Sequence, residues 1–176
     1  MKSDVRYIPI NRSKPFNPAT FIGAGWSVWR GPANGNGLKG EEERDPRSAV
    51  LTELDLNQVQ LVTCLIKRGG REIAGEECIK RLRTDDDDLV RLDENAFKAF
   101  WDNWGQFLVW FKRLNGNIQF NIQFISFDGV VLRDPFGDRY TLCLYFNNDG
   151  SMGWDCGWLG GDRDANNLSA MLAIQN

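Results

Sequence analysis

The sequence predicts an α+β domain, with two helices followed by a mainly antiparallel sheet. Three observations carry this. Helix-period segments sit together in the middle of the chain, and a run of short alternating or apolar segments follows them. Strand-like apolar segments precede the helices, giving the order strand, two helices, then an antiparallel run of strands.

At 176 residues the chain is long enough for one well-packed core and short for two. Seven Trp and eleven Phe within a 42% apolar composition exclude a disordered chain. Residues 1–20 carry Pro9, Pro15 and Pro18 and read as an extended arm with a short strand, VRYIPI, rather than a tightly tied core segment. Residues 21–176 form the domain. FIGAGWSVW, 21–29, is the first core strand, with Gly23 and Gly25 permitting a bulge. RGPANGNGLKGEEERDPRS is a long polar loop. Of the apolar-rich segments SAVLTELDL and VQLVTCLIK, the second is the better strand.

Gly75 opens a helix, GEECIKRLR, with Glu76 and Glu77 in its first turn and Lys80, Arg81 and Arg83 in its last. Both ends match the helix dipole. The carboxylates from Asp85 to Asp88 form a solvated loop, since four adjacent like charges repel. A second helix starts at Asp93, its N-cap. Phe97, Phe100, Trp101, Trp104 and Leu108 fall on one face of it and read as core. IQFNIQF, 118–124, alternates as a half-buried strand. Two strands flank the turn Asp134-Pro135-Phe136-Gly137, and the second, YTLCLYF, is apolar enough to be central. MGWDCGWLG and LSAMLAI are the last strands.

The composition also bounds function. A net charge of −3 with scattered Lys and Arg leaves no footprint for nucleic acid. No uncharged run approaches the roughly 20 residues of a membrane helix. The first residues lack the apolar core of a secretory signal, so the expected location is cytoplasmic or on a virion-like particle. With no His, Ser-His and Cys-His nucleophile pairs are excluded, as is the commonest zinc ligand. Cys64, Cys78, Cys143 and Cys156 form no CxxC pair; Cys64 and Cys143 lie in apolar runs and read as buried thiols. No cofactor is implied, and no residue stands out as catalytic.

Two segments compete as sites. In the acidic loop at 34–45, Asn34, Asn36, Gly37 and Glu43 echo the spacing of a calcium loop, but Pro32 occupies the first ligand position and no helix pair flanks it. A turn-rich loop with a solvated acidic end is the simpler reading, and a calcium-dependent or enzymatic module the alternative. The second segment, about 145–170, interleaves Asn, Asp, Ser and Gly with Trp154 and Trp158. Antibody paratopes favour such a mixture of adaptable polar and rigid aromatic residues.

The pattern GWDCGWLGGDRDANNLSAMLA resembles the variable region of proteins diversified by diversity-generating retroelements. The resemblance implies a C-type-lectin-type fold and a hypervariable ligand-binding surface, the ligand being a protein or another surface. In that family, mutagenesis acts on template adenines, mainly in AAY codons. Asn, Asp, Ser, Gly, Tyr, Cys, Arg and Ala are reachable, whereas Trp, Met, Lys, Glu and Gln are not. The resemblance therefore implies that Trp154 and Trp158 are invariant frame, anchoring or lining the site. Asn147, Gly153, Asp155, Cys156, Gly157, Gly161, Asp164, Asn166 and Asn167 would be the variable ligand-binding set.

Overall fold

In a computed structural model, the structure describes residues 6–32, 35–65, 68–85, 87–115, 124–147 and 149–174. In chain order the elements are β1 (Tyr7–Pro9), α1 (Pro18–Phe21), β2 (Ser27–Val28), α2 (Pro46–Ala49), β3 (Glu53–Asp55), β4 (Val59–Val62) and β5 (Ile73–Ala74). Then come α3 (Gly75–Asp85), β6 (Leu89–Arg91), α4 (Glu94–Asp102), α5 (Trp104–Asn115), β7 (Phe124–Arg133), β8 (Arg139–Phe146), β9 (Met152–Trp158), β10 (Asp162–Arg163) and β11 (Asn167–Ala173). The domain is α+β with a mainly antiparallel sheet.

The main sheet runs in the order β4-β11-β7-β8-β9, with β2 and β6 joining at β7 and β11. One pairing is parallel: β11, last in the chain, lies between β4 and β7, with Asn167 beside Phe124 and Ser169 beside Ser126. β8 is interior, as its apolar run predicts, and β9 is an edge. The β7–β8 turn falls at Asp134–Gly137, where Gly137 takes φ 97° and the Asp134 carboxylate accepts from the amides of Phe136 and Asp138.

Each strand's alternation separates two interiors. On one face Ile125, Phe127, Leu142, Leu144, Leu168 and Ala170 meet α4 and α5 in the principal core, where Phe97 packs edge-on against Phe127 at 5.4 Å. On the other face α3 covers Met171 with Cys78 and Leu82, and a smaller cluster joins Ile79 to Trp29, Val131 and Leu159.

Several elements depart from the sequence expectation. The arm is extended but is built into the core: β1 pairs with β3, Ile8 is fully buried, and Ile10 and Phe16 join the principal cluster. The strand expected over 21–29 shrinks to β2. Asn17 caps α1 and Pro18 takes its first turn, so Phe21 ends a short helix instead. The helix capped by Asp93 forms as expected, but it breaks at Asn103, whose side-chain amide donates to the Ala99 carbonyl. The break resets the phase of the apolar face. Trp104 is more than half exposed, and Phe107, Trp110 and Phe111 are buried in its place. IQFNIQF lies outside the described residues except for Phe124, where β7 begins.

Candidate functional site

The end of the chain is held by a buried polar cluster between α3 and the sheet. β7 bulges after Phe127, so that four residues, Asp128–Val131, stand between the rungs at Phe127 and Leu132 while only Thr141 separates their partners. The bulge turns Asp128 inward and brings Gly129 against the backbone before α4. The Gly129 amide donates to the Leu92 carbonyl at 2.9 Å, and its carbonyl accepts from the Asp45 amide at 2.7 Å. A Cβ here would come within 2.2 Å of the Arg91 carbonyl oxygen, so only glycine fits.

Arg163 of β10 reaches this pocket. Its Nη1 donates to both Asp128 oxygens at 2.9 and 3.0 Å, and its Nη2 to Thr141 Oγ1 at 2.7 Å. Ser169 Oγ also donates to Asp128, and Nη1 approaches Cys78 Sγ at 3.8 Å. Burial disfavours the guanidinium charge, but Asp128 outweighs it, so Arg163 stays charged with its affinity for the proton raised. Gly161 is tied in as well: its carbonyl accepts from the Gly75 amide at the start of α3. A buried pair with every partner supplied fixes β10, and with it the loop 164–166.

On that frame the predicted residues fall into several separate places. Trp154 and Cys156 face the principal core with Leu142 and Leu144; the Trp154 ring packs at a tilt against Phe21, centroids 4.9 Å apart. Gly153, Asp155 and Gly157 alternate with them onto the opposite face. There the register sets Asn167, Phe124, Tyr145 and Gly153 in one row across β11, β7, β8 and β9, and Ser169, Ser126, Cys143 and Asp155 in the next. The Tyr145 ring lies across Gly153, 2.3 Å from where a Cβ would stand. Asp155 is exposed and its carboxylate accepts from the Cys156 amide at 2.7 Å.

The loop beside this row is self-braced. Asp164 Oδ1 accepts from the Asn166 amide at 2.8 Å, Asn167 Oδ1 from the Asp164 amide at 3.1 Å, and the Asn166 carbonyl from the Phe124 amide. Asn147 closes the β8–β9 hairpin, its Nδ2 donating to Ser151 Oγ at 2.8 Å. Trp158 and Gly161 stand at the far end of β9. The Trp158 ring covers Gly160 and is still 54% exposed. The set is thus dispersed over both faces of β9, the loop at 164–166, a hairpin tip and a strand end. Cys156 shares the core-facing side with Trp154, and burial pushes its thiol up to about 12.

The acidic loop carries different chemistry from a cation site. Glu42 accepts from Arg44 at 2.6 Å, and Glu43 from Arg83 at 2.7 Å and Arg139 at 2.5 Å; Asp45 caps α2. The Asn36 side chain accepts from the Leu38 amide, and Asn34 lies outside the described residues. Among the described residues no group of three His, Cys, Asp or Glu side chains is placed to hold a metal. Sequence reasoning missed this arginine–carboxylate lattice and the Asp128–Arg163 pair. The one local signal for the latter was an Asp inside an otherwise apolar strand.

No protein-family model, curated protein or solved structure matches the chain.

Proposed function

We propose that this chain is a ligand-recognition protein of C-type-lectin type, diversified by a retroelement, which presents β9 and the loop at 164–166 as its variable surface. The role is binding rather than turnover, directed at a protein or another surface ligand. The observation that carries the reading is the alternation along β9. The unreachable residue Trp154 faces the core, while Gly153, Asp155 and Gly157 face the other way, Gly153 in a row that ends at Asn167. Residues displayed on a frame held elsewhere can change identity at small cost, typically within about 0.5 kcal/mol. A rigid frame also lowers the ordering cost of binding.

Sequencing the gene's neighbourhood tests the reading. It requires a near-repeat of the stretch encoding residues 145–170, differing chiefly at adenines, beside a reverse-transcriptase gene. A complete source genome without both overturns it. A library varied at Asp155, Asn166 and Asn167, with Trp154 retained, should stay folded and yield binders to immobilised protein panels. Trp154→Ala in the same library should instead collapse expression.

A further inference from the structure

β9 closes one side of the main sheet, and among the described residues no strand pairs with its outer edge. The hydrogen-bond phase says which backbone groups face out. The Leu159 amide donates to the Arg139 carbonyl at 2.9 Å, and the Asn147 amide to the Ser151 carbonyl at 2.9 Å. Both bonds lie on the register that sets Tyr140 against Trp158. In this antiparallel ladder the odd-numbered residues of β9 therefore bond to β8, and the even-numbered ones turn outward. The Cys143 thiol, which reaches the Asp155 carbonyl at 3.4 Å, agrees with that phase. The amides and carbonyls of Met152, Trp154, Cys156 and Trp158 thus line a seven-residue edge with no proline or lysine to blunt it.

Two of these groups are engaged from within the chain. The Trp158 carbonyl accepts from the Gly161 amide at 3.2 Å, and the Cys156 amide donates to the Asp155 carboxylate at 2.7 Å. Asp155 is also the one charged residue of the strand.

A second copy of the same strand matches this edge everywhere except at Asp155. Antiparallel pairing about a two-fold axis at residue 155 sets Met152 against Trp158 of the second copy, and Trp154 against its Cys156. These pairs are apolar against apolar on the core-facing side, and they give the exposed Trp158 ring a neighbour. On the opposite face Gly153 meets Gly157, which leaves the approach open. The central rung alone is unfavourable. It is a non-hydrogen-bonded pair, with Cα atoms about 4.5 Å apart, and it sets one Asp155 carboxylate against the other. Pairing also needs the Cys156 amide for the Trp154 carbonyl of the second copy, and the Asp155 carboxylate already holds that amide.

We propose that the outer edge of β9 is a self-pairing surface held shut by the Asp155 carboxylate, and that a copy uncharged at residue 155 adds a second such copy there as a continuous antiparallel sheet. The pairing follows from the strand geometry and is independent of the retroelement reading. Under that reading, the residue chosen at 155 also sets whether a variant is a monomer or a dimer.

Sedimentation velocity on the full chain and on Asp155→Ser, across a concentration series, tests the edge. The wild-type chain is expected to stay monomeric, as is Asp155→Glu, which keeps the charge. Asp155→Ser should shift to twice the single-chain mass as its concentration rises. Its association should slow hydrogen exchange at the outward amides of Trp154 and Trp158 by at least about tenfold. The amides of Gly153 and Gly157, already bonded to β8, should not change. Asp155→Cys, combined with Cys156→Ser, should cross-link two copies through the introduced thiols on oxidation, because the central rung has disulfide spacing. This second variant keeps the test sound if Asp155→Ser does not fold. An uncharged variant that stays monomeric would overturn the proposal. So would a wild-type dimer with Trp154 and Trp158 already protected, or a variant dimer in which those amides exchange as before.

Discussion

Arg163 and Asp128 meet through two hydrogen bonds of 2.9 and 3.0 Å in the interior between α3 and the sheet, 35 residues apart in sequence. Removing one partner leaves a buried charge without its counter-charge. Arg163→Met is expected to cost about 3–5 kcal/mol, read from urea unfolding. The double variant Asp128→Asn with Arg163→Met should recover a large part of that loss, because neither charge remains. Losses that simply add would show that the two residues act independently.

Two glycines on the same sheet should respond differently to a single methyl group. At Gly129 the added Cβ meets backbone of the 91–93 segment at 2.2 Å, and that segment leads into α4. Gly129→Ala should therefore destabilise by at least about 3 kcal/mol or prevent folding. At Gly153 the obstacle is the far end of the half-buried Tyr145 side chain. Gly153→Ala should cost about 1 kcal/mol or less, with the ring swung outward. Thermal melts compare the stabilities, and tyrosine ring NMR shifts report the movement.

Acid stability should depend on Asp45. Burial disfavours its charge, but Arg47 and the amides of Arg91 and Arg47 outweigh that and hold the carboxyl below the ordinary range. A depressed carboxyl stabilises the fold fully above its unfolded pKa of about 3.9 and loses that contribution as pH falls through the lower folded value. Asp45→Asn should lower stability near neutrality by about 1–3 kcal/mol and flatten the acid limb of the stability curve. Glu94 acts with opposite sign. Burial, then Asp93, raise its carboxyl, so its cost is present above that range and relieved on acidification. Urea midpoints across a pH series, for Asp45→Asn and Glu94→Gln, separate the two slopes.

A fourth measurement addresses the contact between α5 and the segment ahead of β4. Trp110 Nε1 donates to the Leu56 carbonyl at 2.9 Å inside the core. Trp110→Phe keeps most of the aromatic packing and leaves that carbonyl without its donor. The expected loss is about 1–2 kcal/mol by chemical denaturation.

Elements specified by neighbouring residues were legible in the sequence. α3 is marked by acids at its start and bases at its end, α4 by its Asp93 cap, and the β7–β8 turn by Asp134, Pro135 and Gly137. What escaped depends on distant partners. β1 is core because β3, some 45 residues later, pairs with it, and three prolines gave no hint of that. Asn103 interrupts a sound helical period with no Pro, and only Gly105 two residues on, to announce it, which displaced Trp104 from the expected face. Asn17-Pro18 did carry a helix-start signal, outweighed by the apolar run after it. Within 145–170, the distinction between Trp154 and its small neighbours was readable, because a strand alternates faces every residue. The position of Cys156 on the core-facing side follows from the same alternation.

The position of β11 has a bearing on synthesis. This strand leaves the ribosome after every other described element, yet its place is in the middle of the sheet, between β4 and β7. Until it arrives, β4, β6 and β7 expose unpaired backbone and the apolar partners of Leu168, Ala170 and Met171 stay uncovered. A product truncated, or shifted in reading frame, anywhere before residue 167 lacks the strand that completes the sheet. Completion of the described sheet therefore waits on residues 167–173, and a chain that ends before them keeps that gap open.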